Sequence, residues 1–531
     1  MQTVSQTWKS NQEQTLVNES FVEVSLDIAD PGALADASSE DNGAVYISNT
    51  NQVVSEVDKH IVPYSTLEQN LWILDGSRKM LPQSDYGDCG YIGDVLSDEN
   101  GSFSSKTPKI TINFTEVHSN LIPGITIVWG SVYNEYATDY IVTAYNGDDV
   151  VAFKEVHDDH SVKSVVEMDI IGYDRITIKV LRWCLPYRRA RIEEIFVGVK
   201  KVYSKSELFG YTHSQTIDPL STSLPKAEVS FSIDNIDGSY NPYNTNGLSK
   251  YLIEQQSVKT RYGYKIDNTT IEWISGGQFY LSEWSAPQNG MVADFKARDL
   301  FEFLFDDYVD DVTEIAPRDL YGIAEAIFIS ANLPSNDDGT RKWHIDESLR
   351  NIYTSAILPI DTRANCLLMI ANASRCVMYQ DRDGTIRIEP SKNERSDYSI
   401  TGRNSYRKPE MVLAKVVKDV SVAVYQYAMG DNGIEVTTTD AIIRVGNSGE
   451  QIKVDNPLIT SEEVAIAVAE WVRDYVTNRI TLEMEWRADV RLDANDVVRV
   501  DNGYNDVNTL MTEVSFSYNG GFKGTGKGRV I

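Results

Sequence analysis

A chain of 531 residues is too long for one hydrophobic core, and the usual domain size divides it into three or four units. Its 42% hydrophobic and 10% aromatic content excludes general disorder. A formal net charge of −29 repels phosphate backbones and argues against specific nucleic-acid binding. Tyrosine, at 29 against 15 Phe, reads either as broad interface or glycan-contact surface or as the ordinary aromatic preference of strands. Cys89, Cys184, Cys366 and Cys376 stand apart with no CxxC spacing, as reduced thiols of a protein folded in a cytoplasm do. No apolar run reaches membrane-span length, and residues 1–14 lack the apolar core of a signal peptide.

The first strand is predicted at 21–28, where Val22, Val24 and Leu26 alternate with Glu23, Ser25 and Asp27, and it ends in the turn Ala29-Asp30-Pro31-Gly32. From about 60 to 205 come short β-branched and aromatic runs at 109–117, 124–130, 139–153 and 174–183. YNGDD makes a hairpin turn within them, which together read as a β-sandwich or jelly roll. Residues 226–235 alternate again, 236–247 carry loop chemistry, and 271–286 give two strands around a Gly-Gly break.

The period changes at Asp299. Residues 299–305, 320–331 and 363–374 carry apolar positions at helical spacing, with Asp299 and Asp361 placed as N-caps. Residues 376–390 form a hairpin turning at Asp381-Arg382-Asp383-Gly384. A helix is predicted over 461–479, capped by Ser461 and with Glu462 and Glu463 in its first turn. Strands at 481–489, 496–500 and 512–520 follow it.

Each chemical constellation has a bland reading beside it. The carboxylate pairs Asp158/Asp159, Asp306/Asp307 and Asp310/Asp311 read as solvated faces, since glycoside hydrolysis needs two carboxyls held across one bond. His157-Asp158-Asp159-His160 offers no third ligand at zinc spacing and reads as an exposed loop. Asp381, Asp383 and Gly384 begin like a calcium loop but lack the twelfth-position Glu. There is no GxSxG elbow, and Gly524-Thr525-Gly526-Lys527-Gly528 resembles half a phosphate loop and reads as a flexible tail. No catalytic, cofactor or metal residues are assigned. Trp183, Tyr187, Arg188 and Arg189, with Arg191 beside them, are the candidate carbohydrate-binding or interface residues. The alternative is that Glu193 and Glu194 pair with these arginines on the surface.

Two segments, 276–304 (GGQFYLSEWSAPQNGMVADFKARDLFEFL) and 454–528 (from VDNPLITSEEVAIAVAEWV to SYNGGFKGTGKG), resemble the tail hub or baseplate hub proteins of phages. The resemblance covers about 206–531 together with the strand at 21–28. Residues 172–198, GYDRITIKVLRWCLPYRRARIEEIFVG, are similar to the closing strands of galactose-binding-like jelly rolls. The implied fold is mainly β (α+β). Residues 1–36 supply the first strands of hub barrel 1, 37–205 an inserted β-sandwich, and 206–298 the rest of barrel 1. A small α+β subdomain at 299–398 and hub barrel 2 at 399–531 complete the chain.

The implied function is that of a non-enzymatic virion protein of a phage tail tip, made in the host cytoplasm and joining the tail tube to distal components. The resemblance implies a homotrimer, because three copies of two barrels make a six-fold pseudo-symmetric ring, with acidic walls past which DNA slides. Its partners would be distal tail, tape-measure and tail-fibre proteins. The alternative is a receptor-binding adhesin whose sandwich grips a host-surface glycan. A tail-associated lysin is a third reading, but the chain ends shortly after the second barrel, with no lytic domain in view.

Overall fold

The computed structural model describes residues 1–14, 18–55, 61–80, 89–267, 269–287, 290–310, 315–334, 340–430, 433–487 and 489–531. Strand makes up 46% and helix 14%, so the mainly β reading holds. The chain builds one thirteen-stranded sheet, a two-sheet insert and a helical module.

The large sheet begins with the strand read from the first alternation. Ser20–Ala29 buries Val22, Val24, Leu26 and Ile28, the period-2 pattern of a one-sided strand. It pairs antiparallel with Ser257–Lys265 on one side and Gly198–Tyr203 on the other. Beyond Ser257–Lys265 the order runs through Ile271–Ser285, Val292–Arg298, Lys226–Asp234 and Leu208–Thr216, then directly into Asp506–Tyr518, Phe522–Val530, Ile480–Arg487 and Glu410–Leu413. Strands expected to form two barrels are therefore hydrogen-bonded into one sheet at the seam Tyr211↔Tyr518 and His213↔Phe516. Both halves also share a single core, to which Trp8, Phe231, Tyr262, Phe279, Trp486 and Phe516 contribute.

The glycine-rich segment read as a flexible tail is a sheet strand. Phe522–Val530 pairs with both Asp506–Tyr518 and Ile480–Arg487. Its alternate glycines face crowded neighbours: a Cβ on Gly524 would lie 2.5 Å from the Trp486 ring. Glycine here makes room for a core tryptophan, a close-approach role that the turn reading overlooks. Gly524→Val should overpack this site and cost about 2–3 kcal/mol, read as a lowered denaturant midpoint at constant slope. An unchanged midpoint would mean that Trp486 moves aside freely.

His213 sits fully buried at the seam, between the rings of Tyr262, Phe279 and Phe516, with Nδ1 2.7 Å from the Tyr262 hydroxyl. Burial, helped by the charge of Arg382, pushes its pKa down to about 3. The folded seam thus refuses a proton that the unfolded chain accepts at its ordinary value near 6.5. Its contribution to stability is complete above pH 6.5 and is lost as pH falls, by about 3 kcal/mol at pH 4. Asp299 has the opposite sign: burial raises it to about 7, so its contribution declines as pH rises from about 4 towards 7. The His213→Leu chain should accordingly show a shallower stability loss between pH 6.5 and 4 than the parent. Parallel curves would place the acid sensitivity elsewhere.

The insert leaves the sheet at Ala29 and returns at Gly198, which are register partners. Gly198–Tyr203, placed by sequence at the end of the insert, is thus a strand of the large sheet. The Asp30-Pro31-Gly32 turn opens a short helix, Pro31–Asp36, capped by Asp30. Between these points one sheet contains Ser38–Asp41, Lys109–His118, Tyr173–Trp183, Ala137–Asn146 and Asp149–Val156, and a second contains Glu194–Phe196, Ile122–Val128 and Lys163–Ile170. The two sheets share one core around Trp129, Tyr140, Ile176 and Trp183. The YNGDD turn is present, with Asn146 paired to Asp149 and Gly147 at φ +57.

The helical module joins residues that the sequence reading divided. Leu320–Ser330 buries Leu320, Ile323, Ala324, Ile327 and Phe328, and Glu462–Thr477 buries Ala465, Val468, Ala469 and Val472, both at helical spacing. Both faces enter one core with Arg363–Ala373 and the long hairpin Val417–Gly430/Gly433–Arg444. Ser461 caps its helix as expected. The other caps shift: Asp319 caps Leu320–Ser330, Thr362 replaces Asp361, and Asp299 caps a 3-10 turn, Leu300–Leu304.

Candidate functional site

The arginine run lies at one end of the insert, but inward. The Trp183 ring is 1% exposed; its Nε1 donates to Glu135 Oε2 at 3.0 Å, and its face meets Trp129 edge-on. Arg188 Nε donates to Glu135 Oε1 at 2.8 Å, and Arg188 also reaches the Gln69 carbonyl. Arg191 pairs with Glu68 and, at 3.7 Å, with Glu135, its guanidinium lying 4.9 Å from the Tyr133 ring centre. The backbone N–H of Arg189 donates to Glu68 Oε1 at 2.8 Å, and its Nη1 to the Gly93 carbonyl. The carboxylates holding Arg188 and Arg191 are thus Glu135 and Glu68, both buried, in place of the Glu193 and Glu194 expected.

Burial pushes the Glu68 carboxyl up, and the Arg191 charge, with hydrogen bonds from Arg191, Arg189 and Thr66, outweighs it and holds the group low. Trp183 and Arg188 therefore present no face to a ligand. Tyr187, half exposed and in the left-handed backbone region at φ +56, and the half-buried Arg189 remain at the surface. Leu67, 88% exposed, and Trp72, half exposed, project from the same loop as Glu68.

A second centre couples the module to the sheet. The Asp381–Gly384 turn inserts Arg382, which is buried and donates to Asp493 Oδ1 at 2.5 Å and to the carbonyls of Ser275 and Leu492 at 3.0 Å. A polar cavity of about 290 Å³ lies beside it. Three of its acids are engaged: Asp381 by Arg387, Asp493 by Arg382, and Asp299 by the N–H groups of Ala227 and Phe301. Asp381 also accepts from the N–H groups of Asp383 and Thr385, an internal turn closure.

Most of the remaining candidates form internal pairs, while Asp307 is exposed. His157 meets Asp139 and Glu155, while His160 meets Asp158, so the two histidines do not converge. Asp159 accepts from Tyr140 and Ser164. Asp306 faces Arg363, Asp310 is gripped by both Arg318 Nη atoms, and Asp311 lies outside the described residues. Among the described residues no three His, Cys, Asp or Glu side chains are grouped to hold a metal, and no helix is long and apolar enough to cross a membrane. None of the four cysteines forms a disulfide, and burial raises the Cys366 thiol to about 12 and that of Cys376 to about 11.

One surface escaped the sequence reading. A groove of about 880 Å³ crosses the outer face of four adjacent strands, floored by Lys200, Lys259, Arg261 and Trp273. Lys163 of the insert flanks it on one side and the Arg382-Asp383 turn on the other. Arg261 lies 4.5 Å from the Trp273 ring centre and pairs with Glu23. The available signal was the alternation Lys259-x-Arg261, which puts two cations on one strand face.

No family model matches the chain, and no curated protein is similar to it. The solved structures similar to it are phage tail and baseplate proteins and type VI secretion components. The 43 kDa tail protein of prophage MuSo2 from Shewanella oneidensis is 14% identical, with a TM-score of 0.42 over 62% of this chain and 95% of that one. The tail protein from Neisseria meningitidis is 12% identical, with a TM-score of 0.42 over 62% and 93%. A prophage tail protein from Listeria monocytogenes is 8% identical, with a TM-score of 0.38 over 62% and 91%.

Proposed function

We propose that this chain is a structural virion protein of a phage tail tip or baseplate, a homotrimeric hub joining the tail tube to distal tail components. The observation that carries this reading is the continuous sheet. Strands from both ends of the chain share one core, and Arg382 locks the helical module to that sheet, giving a stiff connector with an appendage. Carboxylates weighed in the sequence for chemistry are spent on internal pairs, Asp381 with Arg387 and Asp310 with Arg318, as scaffolding residues are. An antibody against the chain should decorate one end of isolated tails; label absent from particles, or spread along the tube, would contradict the reading.

The insert, 30–197, is proposed as a separable unit. Antiparallel register partners have Cα atoms about 5.5 Å apart, so a two-residue Asn-Gly turn can bridge Ala29 to Gly198. The shortened chain should stay soluble and keep the assembly state of the parent. Aggregation would show that the insert is needed to cover the sheet. The adhesion reading retains Tyr187 and Arg189 at the surface. It requires glycan-array binding that Tyr187→Ala abolishes.

A further inference from the structure

We propose that the basic groove seats the distal part of the Val417–Gly430/Gly433–Arg444 hairpin of a second copy of this chain. This rests on the hub reading, in which copies assemble around an axis.

The outer strand of the hairpin, Gly433–Arg444, hydrogen-bonds to Val417–Gly430 alone among the described strands and leaves its other edge open. Met429 is 69% exposed and Ile434, Val436 and Ile442 are exposed beside it, although the inner face packs on Glu462–Thr477. A long, apolar, open edge recruits another chain unless it is covered. Residues 420–443 contain three acids, Asp431, Glu435 and Asp440, and no Lys or Arg.

The groove has the complementary character. It combines Lys163, Lys200, Lys259 and Arg261, against the two acids Glu23 and Asp383, with the apolar surfaces of Val202 and Trp273, on a chain whose net charge is −29. Four strands at about 4.8 Å spacing give a floor wide enough for a two-stranded ribbon. Met429, Ile434 and Val436 meet Val202 and Trp273, while Asp440, on the same face of the hairpin as Ile434 and Val436, meets the lysines. Hairpin and groove are different surfaces, so the contact is head-to-tail and closes into a ring when the rotation per copy permits.

The test compares the parent with a hairpin variant, Asp440→Lys, a groove variant, Lys200→Glu with Lys259→Glu, and the combined variant, by sedimentation over a concentration series. Each reversal should raise the dissociation midpoint at least about tenfold, and the combined variant should recover most of the loss. Because the groove lysines also have partners within their own chain, a second readout is needed. Protein carrying Val436→Cys, mixed with protein carrying Val202→Cys, should give a disulfide-linked pair that neither forms alone. An assembled hairpin variant indistinguishable from the parent, or linkage only between two Val436→Cys chains, would overturn the contact and leave the hub reading standing. A parent that is monomeric at every concentration would overturn both.

Discussion

Replacing Glu135 by Ala should cost the insert about 5 kcal/mol. Glu135 is 3% exposed and answers Arg188, Arg191 and the Trp183 N–H together. Removing it leaves two buried guanidiniums short of a counter-charge, and breaking one such pair already costs about 3–5 kcal/mol. For a unit of this size the melting transition should fall by about 10–20 °C. The ion network supplies specificity more than net stability, so Glu135→Met with Arg188→Met should recover much of the loss. A fall of under about 3 °C for the single change would mean that water reaches the site and that the arginines are solvated.

The second large effect is at the latch. Arg382→Ala should cost about 4 kcal/mol and, more tellingly, separate the calorimetric transition of the helical module from that of the sheet. The buried side chain makes one ion pair, to Asp493, and two bonds to the carbonyls of Ser275 and Leu492. Its loss leaves a cavity and unpaired acceptors together. Arg382→Lys should not restore coupling, because an ammonium cannot span three acceptors arranged for a planar fork. A single unsplit transition in Arg382→Ala would show that the remaining contacts, among them Lys342 with Tyr280 and Gln380 with the Gln278 carbonyl, suffice to couple the two cores.

What could be read in advance was local. The Asp381–Gly384 turn, the YNGDD turn and the Ser461 cap depend on residues within a few positions of each other, and all three are present. Alternation at Val22, Val24 and Leu26 was enough to mark a one-sided strand and its burial. What stayed hidden depends on separation in sequence. Glu68 and Arg191 are 123 residues apart, so adjacent Glu193 and Glu194 looked like the natural partners. Trp183 beside arginines resembled an exposed sugar platform, but its strand ends in a core whose inner face that indole completes. Gly524 to Gly528 misled because glycine marks turns far more often than it makes room for a neighbouring tryptophan. The split of 399–531 from 299–398 failed to place the helix Glu462–Thr477, whose apolar face is clear in sequence while the core it enters is not. The groove draws its floor from strands distant in the chain, and only the Lys259-x-Arg261 pair carried a local trace.

The central claim is that this chain is a ring-forming hub. Projection images of the purified protein, taken at a concentration where light scattering gives its mass, test it most directly. The expected result is a three-copy particle with three-fold symmetry, a central channel, and inserts projecting at the periphery. A monomer, or a dimer with two-fold symmetry, in both the isolated and assembled forms would contradict it.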